Sequence, residues 1–375
     1  MTDVAGRAPR ILLSAGEPSG DLHGGPLVAA LRQRWPGADI IAFGGPRMAE
    51  AGADVRWRME EYSAFGFAEV IASVPRHIRL MQEIERELDR RPADLVIPID
   101  YPGFNLRLAE RAKRRGAKVL YFIPPQVWVW HRARIERLRR DCDRLAVILP
   151  FEEPFYRNEG VAATYVGNPL VDRRWPSRSE ARARLGLSAD ERVLGIFPGS
   201  RGQEVRRLWG PMRDAALALV GPGRAGRAVV AATPAGEYPE PGPLMLHRGD
   251  PIDVFAAVDV ALAKSGTTTL ECALADVPMV VGYQAHWFTY WLAQRISEVE
   301  FASLPNLILG RRAFPELLQD ACTTEALVAL AEPLFDPTSV ALRDQRAALA
   351  EVRKRVGGPG AAARTADLAR ELVDP

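Results

Sequence analysis

Short apolar runs alternate with stretches of helical periodicity along the whole chain. In the first half, the apolar runs predict strands at residues 11–14, 39–43, 95–99, 118–123 and 144–148. Apolar residues at helical spacing predict helices between them, at residues 22–34, 78–90 and 106–115. This alternation favours a parallel sheet that is covered by helices.

The second half shows the same alternation with different residues. The predicted strands are 193–197, 228–232, 244–247, 260–263 and 279–283. The predicted helices are 204–219, 251–257 and 267–275. Residues 342–372 are rich in Ala, Arg and Leu, and they predict further helices that are interrupted at Gly357-Gly358-Pro359-Gly360.

A domain boundary is expected between residues 169 and 187, because Pro176 and the charged stretch 173–184 interrupt the apolar rhythm there. The predicted fold class is therefore α/β, with two Rossmann-like domains. We place the first domain at residues 1–170, the second at 187–340, and C-terminal helices at 341–375. Whether these helices cross back to the first domain stays open.

The composition is that of a folded protein, with 375 residues of which 47% are apolar and 26% charged. A net charge of +2 does not indicate a nucleic-acid partner. The three cysteines have no metal or redox spacing, which favours reduced thiols in a cytoplasmic setting. Residues 1–10 lack the apolar stretch of a secretory signal, and no uninterrupted apolar run predicts a membrane span.

Each half contains a glycine-rich loop between a predicted strand and a predicted helix. The first is Ser14-Ala15-Gly16-Glu17-Pro18-Ser19-Gly20-Asp21-Leu22-His23-Gly24, and the second is Phe197-Pro198-Gly199-Ser200-Arg201. Glycine lets the backbone approach a ligand closely, and the N–H groups at a helix start favour anions. Two such loops predict a ligand held between two α/β domains.

A further polar cluster in the second half begins with Ser265-Gly266-Thr267 and includes Glu271. Hydroxyl and N–H groups at a helix start suit a diphosphate, and Glu271 one turn later suits ribose hydroxyls. An ordinary helix cap explains the same residues equally well. Gly199-Ser200-Arg201 and Arg206 add groups that pair with phosphate, although an arginine-rich surface would look the same. Together the two loops favour binding of a nucleotide diphosphate.

Asp100 follows a predicted buried strand, in the segment Ile99-Asp100-Tyr101-Pro102-Gly103-Phe104-Asn105. Ligand sites of open α/β sheets cluster at such strand ends, where a carboxylate can take a proton from an attacking sugar hydroxyl. The alternative is that Asp100 caps a helix beginning near Phe104, and position alone slightly favours it. Downstream, Trp128 and Trp130 either flank a sugar or acyl chain or belong to the core.

An apolar stripe at helical spacing lies within residues 65–81. Its members are Phe65, Phe67, Val70, Ile71, Val74, Ile78 and Met81. We expect Pro75 to break this helix in two. The stripe fits a helix that lies on a membrane surface, but a helix packed on the core is the commoner explanation. A basic excess over residues 107–144 would attract anionic headgroups or a phosphorylated acceptor, unless it is a solvated helical face.

Read in order, segments along nearly the whole chain resemble those of the lipid-A-disaccharide synthases, a family of bacterial glycosyltransferases with the GT-B fold. The matching segments are AGEPSGDLHG (15–24), FGGPRM (43–48), IDYPGFN (99–105), PPQVWVW (124–130), LPFE (149–152), VGNPLVD (166–172), PGSRGQEV (198–205), SGTTTLE (265–271), LPNLILG (304–310) and PELLQD (315–320). The first segment and the last two are the most specific.

The resemblance implies two Rossmann-like domains that face each other across a cleft. It implies transfer of 2,3-diacylglucosamine from its UDP donor to 2,3-diacylglucosamine 1-phosphate, with inversion at the anomeric carbon. No metal or other cofactor is expected. Acylated substrates imply a cytoplasmic protein that is peripherally associated with the bacterial inner-membrane surface, which the stripe at 65–81 would contact. Whether the protein forms a homo-oligomer stays open.

The resemblance also assigns residues. Asp100 becomes the general base, and the acceptor-side residues are Glu17, Ser19 and Asp21. The nucleotide-sugar residues are Arg201, Ser265, Gly266, Thr267 and Glu271 around UDP, with Asn306 and Gln319 near the donor cleft. Departures from the common pattern occur at Pro18, Gly103 and Asn168, so acyl-chain preference stays undetermined.

Two other functions fit part of the pattern: a UDP-sugar 2-epimerase of the GT-B fold and a non-catalytic nucleotide-sugar or lipid-binding protein.

Overall fold

The structure, a computed structural model, describes residues 7–62, 67–128, 133–285 and 300–374. Contacts within the chain divide it into two compact units. Unit 1 consists of Met1–Asp172 together with Gly358–Pro375, and unit 2 consists of Arg173–Gly357. The chain therefore leaves unit 1 after Asp172 and returns to it after Gly357.

Unit 1 is built on one parallel sheet. Its strands are β1 (Arg10–Ser14), β2 (Asp39–Gly44), β3 (Asp54–Arg58), β4 (Leu95–Pro98), β5 (Lys118–Phe122), β6 (Arg144–Val147) and β7 (Ala163–Tyr165). They lie in the order β3-β2-β1-β4-β5-β6-β7. Its first helices are α1 (Pro18–Arg34), α2 (Pro46–Glu50), α3 (Phe67–Arg90), α4 (Pro102–Arg114), α5 (Ala133–Asp141) and α6 (Glu152–Asn158).

Unit 2 is built on a second parallel sheet. Its strands are β8 (Val193–Phe197), β9 (Arg227–Ala231), β10 (Met245–His247), β11 (Val260–Lys264), β12 (Met279–Tyr283) and β13 (Glu316–Leu318), in the order β10-β9-β8-β11-β12-β13. Its helices are α7 (Arg178–Leu185), α8 (Gly202–Leu219), α9 (Pro251–Ala257), α10 (Thr267–Leu274), α11 (Leu304–Leu309), α12 (Thr324–Ala331) and α13 (Val340–Val356).

The last helix, α14 (Ala361–Val373), belongs to unit 1 and packs on α1. Three buried residues of α14 join the hydrophobic cluster beneath α1: Ala366, Leu368 and Ala369. Asp172 accepts a hydrogen bond from the N–H of Ala361 at 3.1 Å, and Arg364 Nε donates to the carbonyl of Val166 at 2.6 Å. These bonds fasten the start of α14 to the segment where the chain leaves unit 1.

Both sheets bury their central strands. All residues of β1 and of β8 are buried, as expected for parallel strands that helices cover on both faces. The predicted α/β fold class is confirmed, and each predicted strand end lies within one residue of the observed end. The strands β3, β7 and β13 were not predicted. They lie at sheet edges, where short or polar strands give little apolar pattern.

The prediction that Pro75 breaks its helix is wrong, since α3 runs from Phe67 to Arg90 without interruption. Proline removes one backbone donor and crowds the preceding turn, but the hydrogen bonds on either side of that position remain available. The C-terminal half of α3 is also anchored by buried Leu80, Ile84 and Leu88. Internal prolines therefore do not delimit helices in this chain.

Candidate functional site

The glycine-rich loop of unit 1 joins β1 to α1 at the carboxyl edge of the sheet. A Cβ on Gly16 would lie 2.4 Å from the Tyr101 ring, so only glycine lets this ring cover the loop. Glu17 and Ser19 are exposed at the start of α1. Asp21 differs from them, because it is only 2% exposed.

The Asp21 carboxylate holds another loop of unit 1 in place. It accepts hydrogen bonds from the N–H groups of Gly45 at 2.9 Å, Arg47 at 3.0 Å and Met48 at 3.1 Å. These groups lie at the start of α2, where carboxylates satisfy free N–H donors. Of the three predicted acceptor-side residues, the structure leaves Glu17 and Ser19 open to solvent and turns Asp21 inward.

Asp100 lies just beyond the end of β4 in a left-handed backbone conformation, with φ of 47°, and Tyr101 follows with φ of 50°. Such conformations are unfavourable for residues with side chains and need support from their surroundings. The Asp100 N–H donates to the Phe122 carbonyl at 3.1 Å, and the Tyr121 hydroxyl donates to the Asp100 carbonyl at 2.8 Å. Hydrogen bonds of its backbone N–H and carbonyl therefore hold the half-buried Asp100 at the carboxyl edge of the sheet.

The structure does not support the alternative that Asp100 caps a helix. The helix that follows, α4, begins at Pro102, and the cap position is Tyr101 with no side-chain cap bond. The position that caps α4 is therefore Tyr101 and not Asp100.

Asn105 joins the ends of β1 and β4, and sequence reasoning assigned it no role. It is fully buried. Its Oδ1 accepts from Ser14 Oγ at 2.6 Å, and its Nδ2 donates to the carbonyls of Ser14 at 3.1 Å, Ile99 at 3.1 Å and Asp100 at 2.8 Å. The glycine-rich loop and the Asp100 loop are therefore tied together through one amide group.

The ring of Tyr101 connects the same loops to α3. His77 Nε2 and the Tyr101 hydroxyl are 2.7 Å apart and form a hydrogen bond. Burial raises the pKa of Tyr101, and the nearby Glu17 carboxylate raises it further. The hydroxyl therefore stays protonated at neutral pH and forms a neutral hydrogen-bonding partner for His77.

A buried carboxyl group supports the tryptophan segment. Trp128 Nε1 donates to Glu152 Oε1 at 3.1 Å, while Glu152 Oε2 accepts from the N–H groups of Leu149 at 3.0 Å and Ile148 at 3.3 Å. Burial raises the pKa of Glu152 to about 7 against these bonds, which lower it. Trp128 is thus fixed by a protein contact, and Trp130 lies outside the described residues.

In unit 2, the helix α10 begins where β11 ends. Gly266 at its cap has φ of 131° and ψ of −153°, a conformation that residues with side chains rarely adopt. Ser265 is 7% exposed and its hydroxyl donates to the Ala302 carbonyl at 2.6 Å. Thr267 is exposed, and the first N–H groups of a helix lack a helical acceptor, although here the Thr269 N–H donates to the Gly266 carbonyl at 3.1 Å.

Glu271 lies on the first turns of α10 and pairs with Arg173. Its Oε1 accepts from Arg173 Nη1 at 3.0 Å, and Arg173 Nη2 donates to Asp250 Oδ1 at 3.3 Å. Burial raises the pKa of Glu271 to about 7, while Arg173 acts in the opposite direction. Sequence reasoning did not single out Arg173, since no local motif connects it to α10.

The loop of Gly199, Ser200 and Arg201 is fastened by Glu204. Glu204 Oε2 accepts from the N–H groups of Ser200 at 3.1 Å and Arg201 at 3.3 Å, and Oε1 lies 3.0 Å from Lys264 Nζ. A Cβ on Gly199 would lie 2.6 Å from the same carboxylate. Burial alone would raise the pKa of Glu204, but Lys264 and these hydrogen bonds hold it below its usual value.

The sequence suggested that the N–H groups of Ser200 and Arg201 bind a phosphate, but in the structure they donate to the Glu204 carboxylate. The other helix start of unit 2 that the sequence indicated for a phosphate is the start of α10. The guanidinium groups of Arg201 and Arg206 remain exposed beside the loop, with 82% of the Arg201 side chain accessible.

Asn306 and Gln319 make internal contacts in the described part of unit 2. Asn306 is fully buried, and its amide binds the N–H groups of Ala313 and Phe314 and the Glu316 carboxylate. Gln319 Oε1 accepts from the Ala285 N–H at 2.7 Å. Both side chains thus organise loops.

Much of the predicted membrane stripe lies outside the described residues. This holds for Phe65 and for the side chains of Phe67, Val70 and Ile71. Val74 and Ile78 are 49% and 52% exposed, whereas Met81 is buried, so the described stripe divides between solvent and core. Among the described helices none is long and apolar enough to cross a membrane, and no cluster of described residues could hold a metal ion.

Comparison with solved structures identifies the fold. The UDP-GlcNAc 2-epimerase from Neisseria meningitidis, solved with UDP-GlcNAc, aligns with a TM-score of 0.64 at 9% identity over 96% of this chain and 98% of that one. The glycotransferase of kitacinnamycin aligns with a TM-score of 0.62 at 17% identity over 98% and 99%. At these identities the likeness shows the fold alone, the two-domain α/β fold of GT-B glycosyltransferases.

Comparison of sequences identifies the family. A family model described as "Lipid-A-disaccharide synthetase" matches residues 11–354. The lipid-A-disaccharide synthase of Myxococcus xanthus is 39% identical over 379 residues, covering 98% of each chain. That of Geobacter metallireducens is 39% identical over 381 residues, covering 98% of this chain and 99% of the relative. The chain therefore belongs to the lipid-A-disaccharide synthetase family.

Proposed function

We propose that this chain joins a UDP-2,3-diacylglucosamine donor to 2,3-diacylglucosamine 1-phosphate, which yields lipid A disaccharide 1-phosphate and UDP. Family membership supports the reaction. The main structural support for the general base is the conformation of Asp100. Its backbone is held in the left-handed region at the carboxyl edge of the unit 1 sheet. An unfavourable conformation with this much support is typical of functional positions.

Asp100 acts as the general base in unit 1. Its carboxylate takes the proton from the 6-hydroxyl of the acceptor while that oxygen bonds to the anomeric carbon of the donor. The bond from this carbon to UDP breaks with its electron pair on the diphosphate, so a single displacement inverts the centre. General base catalysis of this kind contributes roughly 10²–10⁴-fold to the rate. Exposed Glu17 and Ser19 contact the acceptor nearby.

Unit 2 binds the UDP portion of the donor. The N–H groups at the start of α10 and the exposed Thr267 bind the diphosphate, where negative charge grows as the bond breaks. Exposed Arg201 and Arg206 add positive charge, and Glu271 accepts hydrogen bonds from the ribose. The loop contacts of Asn306 and Gln319 position this binding surface.

The acylated substrates place the protein at the cytoplasmic face of the inner membrane. The apolar Val74 and Ile78 are about half exposed on α3, which His77 ties to the Asp100 loop through Tyr101. A peripheral contact there would bring acyl chains close to the base. The 2-epimerase interpretation is not favoured, because the likeness to epimerases is limited to the fold, and full-length relatives are synthases.

The test is turnover of the purified protein with both acylated substrates, followed by mass spectrometry of the disaccharide. We expect Asp100→Asn to lower kcat by roughly 10²-fold or more, because the amide cannot accept the proton, while the affinity for UDP stays unchanged. Asp89→Asn, at a side chain that is 61% exposed on α3, is the matched control. Near-normal kcat in Asp100→Asn would exclude Asp100 as the base.

A further inference from the structure

Arg173 connects three separate parts of unit 2. It is the first residue of the unit, and its guanidinium reaches Glu271 on α10 and Asp250 at the start of α9. The Glu271 and Arg173 side chains are 14% and 25% exposed, so water screens this pair much less than a surface pair. Arg173 is thus placed to control the charge and the orientation of the Glu271 carboxylate.

We propose that Arg173 is a positioning residue that keeps Glu271 ionised and oriented to accept hydrogen bonds from the ribose of a uridine nucleotide. This inference rests on the proposed function, because it takes Glu271 as the ribose ligand. It assigns to Arg173 a role that acts through another residue, without contact to the nucleotide.

The orientation follows from how the hydrogen bonds are distributed. Arg173 binds Oε1 of Glu271, while Oε2 accepts no hydrogen bond from the residues that the structure describes. The second bond, to Asp250, restrains the orientation of the guanidinium. One carboxylate oxygen is therefore fixed by the protein, and the other can accept from a ribose hydroxyl.

The ionisation follows from the groups that face the carboxylate. Arg173 is the cation beside it, whereas Asp250 disfavours its charge, and the neighbouring Cys272 thiol is buried and neutral. Burial already raises the pKa of Glu271 to about 7 with Arg173 in place. Without the guanidinium, burial and Asp250 would favour the protonated form at neutral pH.

The test is calorimetric titration of the full-length protein with UDP between pH 6.5 and pH 9. Because loss of the guanidinium raises the pKa of Glu271 and favours its protonated form, Arg173→Gln should bind UDP roughly fivefold more weakly than wild type near pH 7. The ratio of the two Kd values should fall towards one near pH 9. Using the ratio cancels the ionisation of UDP itself.

Three further variants make the result specific. Arg173→Lys keeps the charge and should restore most of the neutral-pH affinity, which also guards against a folding defect in the glutamine variant. Arg174→Gln, at the exposed neighbouring arginine, should match wild type at every pH. In a Glu271→Gln background, Arg173→Gln should have no pH-dependent effect.

A Kd ratio that is the same at every pH would overturn the inference, because direct contact or a purely structural role would give that result. Equal affinities of wild type and Arg173→Gln would overturn it as well. If the wild type bound no UDP at any pH, the assignment of unit 2 to the nucleotide would fall, and this inference would fall with it.

Discussion

Acidic residues in the loops and helix starts of this chain fall into two groups, those that bind the backbone and those that stay accessible to a ligand. The oxygens of Asp21 and Glu204 bind N–H groups of nearby loops, so these residues hold the backbone. Glu17 is exposed at the start of α1, and Glu271 keeps one oxygen available. Residue type alone does not separate the two groups, because a carboxylate near a helix start satisfies either a protein donor or a ligand.

Glu152 allows a prediction about pH. Burial raises its pKa in the folded protein to about 7, above the value of 4.5 that it has in the unfolded chain. The folded state therefore binds the proton more tightly, and this group lowers the free energy of unfolding as pH rises from about 4.5 to about 7. The full loss is roughly 3 kcal/mol for a shift of this size. Glu152→Gln should remove this pH dependence.

The measurement is urea denaturation of wild type and Glu152→Gln at pH 5 and pH 8. The free energy of unfolding of wild type, relative to the variant, should be higher at pH 5 than at pH 8. Glu136→Gln is the control, since that side chain is 71% exposed. Parallel pH profiles for wild type and Glu152→Gln would contradict the prediction.

At the scale of elements, α3 is the most informative helix. It runs through Pro75, buries Leu80 and Ile84 against the sheet, and exposes Val74 and Ile78. Exposed large apolar residues on one helix are a feature of interaction surfaces, including those that contact membranes. The hydrogen bond between His77 on α3 and Tyr101 links this helix to the Asp100 loop.

Replacing both Val74 and Ile78 by Asp should weaken binding to vesicles of anionic phospholipid by roughly tenfold or more, because two apolar contacts are lost and negative charge is added. Co-sedimentation with the vesicles measures this directly, and the affinity for UDP should not change. Val340→Asp is a matched control, because Val340 is 58% exposed on α13 of unit 2. Unchanged sedimentation of the double variant would show that this part of α3 does not contact the membrane.

At the scale of the whole molecule, each unit has its own core. Unit 1 is built from two separate stretches of the sequence, and unit 2 lies between them along the chain. The helix α13 covers the core of unit 2, whereas α14, which follows it after a short glycine-rich segment, packs into unit 1. The stability of unit 1 therefore depends on residues near the C-terminal end of the sequence.

Leu368→Ala tests this dependence. Leu368 is 6% exposed in the unit 1 core, and loss of a buried leucine costs about 2–5 kcal/mol. Hydrogen exchange followed by mass spectrometry should show faster exchange in peptides of β1 and α1 and unchanged exchange in β8 and β11. Leu342→Ala, at a residue of α13 that is also 6% exposed but lies in the unit 2 core, should show the opposite distribution. Equal effects on both units would contradict separate cores.

Much of the fold could be read from the sequence, because the strands of a parallel sheet are continuous apolar runs and the helices between them have a regular period. The glycine-rich loops were placed correctly between strands and helices for the same reason. The uninterrupted α3 could not be predicted, since a proline signals a break locally, and only the packing of the rest of the helix shows that it continues.

The sequence by itself determined the α/β class, the position of nearly every central strand, the glycine-rich loops that we propose as ligand sites, and the family. These are local patterns, or patterns in a fixed order along the chain. Only the tertiary structure decided that Asp21 turns inward, that Asn105 ties Ser14 to the Asp100 loop, and that Arg173 meets Glu271. The partners in the last two contacts are 91 and 98 residues apart, and nothing in the sequence near either partner specifies which distant side chain the folded backbone brings into reach.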